Sequence, residues 1–226
     1  MMDQKQREKC LQEVKLLQSV DHPNIVKYLD SFISDNELYI AIEWADKGDL
    51  KRFIKKYLQE GDKIDEIKII EYTRQLGSAL LHMHEKRIIH RDLKPANILI
   101  FSDGLLKLGD LGLGRYMSDE TFKAFSKVGT PLYMSPEVIR NDGYDFKSDV
   151  WSLGCVIYEL VTFKSPFRTD EKISLYDLFT KINKGDYPRI MDEKYGTFIK
   201  DLIEKMLKVN PEERISLEEV IYYYYR

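Results

Sequence analysis

The stretch Ser148-Asp149-Val150-Trp151-Ser152-Leu153-Gly154-Cys155-Val156-Ile157-Tyr158-Glu159-Leu160 is apolar on nearly every face. A helix of that kind is buried at the centre of a domain, so the rest of the chain has to pack around it. A second, amphipathic helix is predicted over residues 65–86, with Leu76, Leu80 and Met83 on one stripe. Residues 3–20 read as a further helix, in which Cys10, Val14 and Leu17 recur at i, i+4 and i+7. Ile25–Phe32 and Glu37–Ile42 alternate as strands joined by a turn at Ser34-Asp35-Asn36, and Gly48-Asp49-Leu50 opens another helix. Residues 172–226 read as short helices, one of them started by the capping-box pattern Ser216-Leu217-Glu218-Glu219. The expectation is an α+β chain whose 226 residues suffice for one sizeable core or two small lobes.

Composition excludes several classes. Apolar residues at 43% and charged residues at 32% give an ordinary globular balance that argues against disorder. A net charge of −3 leaves no basic footprint for nucleic acid. No apolar run approaches the roughly 18 residues of a membrane span, and the first nine residues are too polar to begin a signal peptide. Cys10 and Cys155 form no metal pattern and suggest no disulfide framework, which fits a reducing, intracellular setting. No nucleic-acid or membrane partner is expected.

The chemistry is concentrated in Ile89-His90-Arg91-Asp92-Leu93-Lys94-Pro95-Ala96-Asn97-Ile98-Leu99. The spacing H-R-D-x-x-x-x-N is an established signature of loops that catalyse phosphoryl transfer. That reaction needs an acceptor hydroxyl in line and charge neutralised around the phosphate. Asp92 is the candidate base that orients the hydroxyl, Lys94 can reach the γ-phosphate, and Asn97 supplies a neutral oxygen for a metal ion. Eighteen residues after Asp92, a short apolar strand runs into Gly109-Asp110-Leu111-Gly112, where Asp110 is a hard carboxylate suited to Mg²⁺. Gly129-Thr130-Pro131 and Ser135-Pro136-Glu137 follow. His82 and His84 could suggest a metal pair, but polar packing is the commoner use and no third ligand lies nearby.

The order D-x-G, G-T-P, S-P-E resembles the activation segment of eukaryotic protein kinases. Finer details look like the NIMA-related kinases: Leu-Gly-Asp-Leu-Gly-Leu-Gly-Arg at 108–115, with Leu111 where most kinases carry Phe, Met134-Ser135-Pro136-Glu137, Gly143–Asp149, Asn36-Glu37-Leu38 and Ala45–Leu50. The resemblance covers essentially the whole chain and is closest to the short members without a C-terminal coiled coil. It implies a kinase-like fold with a mostly helical large lobe over 45–226 and a partial small lobe over 1–44. It implies ATP and Mg²⁺ as cofactors, protein substrates with Ser or Thr acceptors, and roles in mitosis and microtubule organisation. A cytoplasmic location, with nucleus and spindle or centrosome as further sites, follows from the same resemblance.

The resemblance also assigns residues. Glu13 falls where kinases place the helix glutamate that pairs with a strand lysine, although a solvated helix charge is the plainer alternative. Ile42 falls at the gatekeeper position, Glu43-Trp44-Ala45 at the hinge whose backbone would bond the adenine edge, and Leu99 at the floor of the adenine pocket. Ser118, Thr121 and Ser126 are candidate phosphorylation sites. A phosphate on Ser126 would add about −2 charge and could pair with Arg91, implying an upstream activating kinase; the alternative is a solvated hydroxyl. Thr130 with Lys94 points to the serine/threonine branch. Asp149 is expected to accept backbone donors from the catalytic loop, and Arg214 to pair with Glu137. The Tyr222–Tyr225 run has no assigned role beyond helix surface and packing.

One departure is large. A complete kinase carries a glycine-rich loop and a strand lysine upstream of the Glu13 helix, whereas the first glycine here is Gly48. Lys5 and Lys9 read as helix charges, so the family's first three strands are expected to be missing, through an incomplete gene model or an alternative start. Loss of a single preorganised charge-stabilising donor can slow an enzyme by about a hundredfold. Poor turnover is therefore expected, with an exposed sheet edge and face prone to aggregation or to a borrowed partner. The rival expectation is a non-catalytic kinase-like binding module.

Overall fold

A computed structural model of the chain describes residues 14–15, 17–35, 37–110, 131–168, 170 and 172–223. Residues 14–15 and 17–19 are helical, and Leu17 is buried. Two strands follow, β1 (Tyr28–Ser34) and β2 (Glu37–Ile42), paired antiparallel from Tyr28 opposite Ile42 to Ser34 opposite Glu37. Helix α1 (Leu50–Glu60) and the long α2 (Glu66–Glu85) come next. A single 3₁₀ turn at Pro95–Asn97 leads into a second antiparallel pair, β3 (Ile98–Ile100) and β4 (Leu106–Leu108). The remainder is helical: α3 (Pro136–Ile139), α4 (Phe146–Thr162), α5 (Leu175–Lys184), α6 (Thr197–Met206) and α7 (Leu217–Tyr222).

Helix α4 is the centre. Val150, Trp151, Leu153, Cys155, Val156, Ile157, Tyr158, Leu160 and Val161 are all buried. It packs against α2 on one side and α6 on another. Its start is fixed by a capping box, in which Asp145 and Ser148 satisfy each other's backbone donors. Its close approach to α6 depends on Gly154, where a Cβ would lie 2.8 Å from Cβ of Met206. Helix α2 spans the predicted range, with Asp65 capping its first turn and Leu76, Leu80 and Met83 fully buried. Asp49 caps α1 by accepting from the Arg52 N–H at 2.8 Å.

The first strand starts three residues later than its alternation predicts. Ile25 pairs instead with Leu108 in a parallel bridge, tied by the Val26 N–H to the Leu108 carbonyl at 2.9 Å and the Leu108 N–H to the Asn24 carbonyl at 2.8 Å. Asn24 explains the difference. Its side-chain amide donates to the Leu106 carbonyl at 2.8 Å and to Gln75 at 3.0 Å, so residues 24–26 belong to the β3–β4 side. Among the described residues β1 and β2 form a sheet of two strands, and Leu29, Phe32, Ile33, Tyr39 and Ile42 on it are exposed.

Candidate active site

The H-R-D segment leaves α2 and is held from below by α4. Asp149, buried in the first turn of α4, accepts from the His90 N–H at 2.9 Å and the Arg91 N–H at 3.1 Å. A third donor reaches the same carboxylate: Nε2 of His84, at 2.8 Å from Oδ2. His84 is therefore used as a fixed donor to a carboxylate, the polar-packing alternative made specific. Among the described residues no three His, Cys, Asp or Glu side chains cluster around a point.

The backbone bends sharply over this anchor. Arg91 has φ +67° and Asp110 has φ +47°, left-handed conformations that cost an ordinary residue about 1 kcal/mol or more. His90 closes the gap between the two bends. Its Nε2 lies 3.2 Å from the Gly109 carbonyl, which can only accept, so Nε2 is the donor. The Gly109 N–H donates to the Asn97 carbonyl at 2.8 Å. Asp110 and the 92–97 loop are thus tied together through His90, Gly109 and Asn97.

Three polar side chains converge at the loop. Lys94 Nζ donates to Oδ2 of Asp92 at 2.7 Å, and Asn97 Nδ2 donates to the same oxygen at 3.0 Å and to the Asp92 carbonyl at 2.8 Å. Asn97 is buried and its amide is oriented by these two bonds. Asp110 stands exposed beyond Gly109. A carboxylate and an amide oxygen are hard donors, and Mg²⁺ characteristically takes one or two such protein ligands and completes its shell with phosphate and water. The donor set therefore fits the cation.

Glu43 follows β2 and Ala45 lies two residues on, both half-buried, whereas Trp44 between them is 85% exposed. Leu99 is half-buried on β3. Sequence reasoning missed what Glu43 does with its side chain: the carboxylate accepts from Lys107 Nζ at 2.8 and 2.7 Å and from the Lys27 N–H at 2.7 Å. Only an acid and a base 64 residues apart signalled it, and nothing in the spacing singles them out.

On the far side, Glu137 receives a two-pronged grip from Arg214, NH1 and NH2 each at 2.7 Å, with Ser148 donating to Oε1 at 2.7 Å. Burial alone would push the Glu137 carboxyl up; the Arg214 hydrogen bonds and charge outweigh it and hold the group below its usual value. Tyr133 is fixed to α4 by its hydroxyl donating to Glu159 at 2.6 Å and by Ser152 donating to its carbonyl at 2.8 Å. Burial raises the carboxyl of Glu159. Arg91 lies over the ring of Tyr144 at 5.7 Å. Glu13, Ser118, Thr121, Ser126, Thr130, Tyr224 and Tyr225 lie outside the described residues.

The protein kinase domain family matches residues 1–225. The chain is 41% identical over 224 residues to the probable serine/threonine-protein kinase nek3 of Dictyostelium discoideum, covering 97% of this chain and 20% of that protein. It is 37% identical to serine/threonine-protein kinase Nek1 of Mus musculus and 37% identical to serine/threonine-protein kinase Nek2 of Homo sapiens, covering 97% of this chain in both cases and 18% and 50% of those proteins. The chain thus spans half or less of the length of these curated relatives. With the family matched along its length, the chain belongs to the protein kinase domain family and is of the NIMA-related serine/threonine kinase type.

Proposed function

We propose that this chain carries the catalytic lobe of an enzyme that moves the γ-phosphoryl group of ATP onto Ser or Thr hydroxyls of proteins. The observation that carries the reading is the convergence of Lys94 and Asn97 on Asp92. Asp92 orients the acceptor hydroxyl and takes its proton as the hydroxyl oxygen bonds to the γ-phosphorus. The bond from that phosphorus to the bridging oxygen breaks, and ADP leaves. Lys94, already beside Asp92, neutralises charge on the transferring group. Asn97 and Asp110 are the residues that would hold Mg²⁺, which would supply positive charge to offset that of the phosphates. The backbone at Glu43 and Ala45 would receive the adenine edge over Leu99.

In this reading residues 1–44 are a partial small lobe and 45–226 the large lobe. Glu13, Arg91, Ser126 and Thr130 are regulatory, with Ser126 the acceptor for an activating kinase and Arg91 its charge partner. Glu137, Asp149 and Arg214 are architectural. Protein substrates at the spindle or centrosome, in cytoplasm or nucleus, are the partners that the NIMA-related resemblance implies. Among the described residues no helix is long and apolar enough to cross a membrane.

Transfer from γ-labelled ATP to a general protein acceptor tests the reading, with Asp92→Asn as control. The expected result is slow, Mg²⁺-dependent labelling on Ser and Thr that falls at least about a hundredfold in the variant, since a positioned base is worth that much. Equal labelling by both forms would overturn the role of Asp92.

A further inference from the structure

We propose that Lys107 is a positioning residue for nucleotide, acting through Glu43 to fix the adenine end of the site against the strand that leads to Asp110. The inference rests on the nucleotide reading above.

The geometry begins with β4. Leu106 and Leu108 are fully buried, and alternation turns Lys107 to the opposite face. Lys107 pairs directly with Leu99 across the β3–β4 ladder, so the two side chains share that face. The ammonium is not left in water. It donates to both carboxylate oxygens of Glu43 at 2.8 and 2.7 Å and lies over the ring of Phe101 at 4.6 Å. The side chains of the pair are only 15% and 22% exposed. An exposed ion pair contributes little, but one that is mostly withdrawn from water fixes its partners, because breaking it strands a charge.

Glu43 is locked in turn. Besides Lys107 its carboxylate accepts the Lys27 N–H at 2.7 Å, and its own N–H donates to the Lys27 carbonyl at 3.0 Å. The neighbouring Val26 N–H donates to the Leu108 carbonyl at 2.9 Å. Residues 26–27, 43 and 107–108 are therefore joined at one knot. From that knot the hinge backbone leaves in one direction. In the other, Leu108 and Gly109 lead to Asp110, and Gly109 is bonded to Asn97. Lys107 is the side chain whose charge holds the adenine-facing segment to the metal-facing strand. Its ammonium is committed to Glu43, so it acts on nucleotide through the hinge and not through the phosphates.

Calorimetry on the full chain with two probes, Mg-ATP and adenosine, tests this. Lys107→Met and Glu43→Gln should each weaken both probes by about tenfold, the low end of what supports behind a ligand-holding group are worth. The double variant should be no weaker than either single one, because the two residues act as a unit. Lys107→Arg, which keeps the charge and can donate to both carboxylate oxygens, should bind nearly as the parent does. If Lys107→Met does not fold by circular dichroism, Glu43→Gln and Lys107→Arg carry the test. Unchanged affinity in Glu43→Gln overturns the proposal. A loss confined to Mg-ATP, with adenosine unaffected, also overturns it by making Lys107 a phosphate contact. If the parent chain binds neither probe, the nucleotide reading itself falls; if the parent binds and the variants match it, only the positioning role falls.

Discussion

His84 donates to Asp149 at 2.8 Å across 65 residues of sequence, so the end of the long helix α2 and the start of the central helix α4 meet on one buried carboxylate. The same carboxylate holds the backbone of His90 and Arg91. Removing it with Asp149→Ala leaves three donors without partners, each costing about 1–3 kcal/mol when buried. Urea unfolding should therefore show a loss of about 3 kcal/mol or more. His84→Ala keeps the two backbone donors paired and should cost about 1 kcal/mol. Equal losses in the two variants would show that the backbone contacts contribute nothing.

The contrast between these two residues shows what a sequence can reveal. Asp92, Lys94 and Asn97 lie within six positions, so their spacing alone brings them near one another. The all-apolar character of 148–160 marks the centre directly, and the Leu76, Leu80, Met83 stripe marks the face that α2 buries. His84 gave no such signal, because its meaning depends on where α4 crosses α2. The Lys107–Glu43 pair was hidden for the same reason. Asn24 shows the limit on strand ends: alternation places residues 25–27 in β1, while one side-chain amide bonded to Leu106 goes with residues 24–26 lying along another sheet.

The Arg214–Glu137 pair should be indispensable to the fold, since the Arg214 side chain is fully buried and Glu137 only 7% exposed. Breaking a buried pair by removing one partner typically costs about 3–5 kcal/mol, and Arg214→Ala should lose that much in chemical denaturation. Arg214→Lys should recover only part, because a lysine cannot make both parallel bonds.

Gly154 lies where α4 touches α6. Its Cβ would meet Met206 Cβ at 2.8 Å and Leu207 Cδ2 at 3.0 Å. Gly154→Ala raises helix propensity but overpacks the contact, and overpacking of this kind costs about 1–3 kcal/mol. A melting temperature below that of the parent is expected; an increase would mean that α6 yields freely.

Acidification should weaken the fold in two windows. Burial first, and then the neighbouring His82, lower the pKa of His22 below 6.5, with Asp21 opposing; the ring also contacts Ser78 and the Asn24 N–H. The folded state then binds fewer protons than the unfolded one, so this stability is complete above 6.5 and is lost as pH falls below it. Glu137, held below 4.5, contributes stability that is present above 4.5 and is lost as pH falls through its folded value. Melting temperatures taken at about pH 7.5 and about pH 5.5 should differ less in His22→Gln than in the parent. An unchanged difference would contradict the His22 account.

The central claim is that Asp110, Asn97 and the hinge form a nucleotide site on this chain. Titration of Mg-ATP into the purified chain by calorimetry, beside Asp110→Asn, addresses it most directly. The account predicts binding by the parent that requires Mg²⁺ and is lost in Asp110→Asn, whose neutral amide is a poorer ligand for a hard cation. Absence of binding by the parent, or the same affinity in both forms, would contradict it.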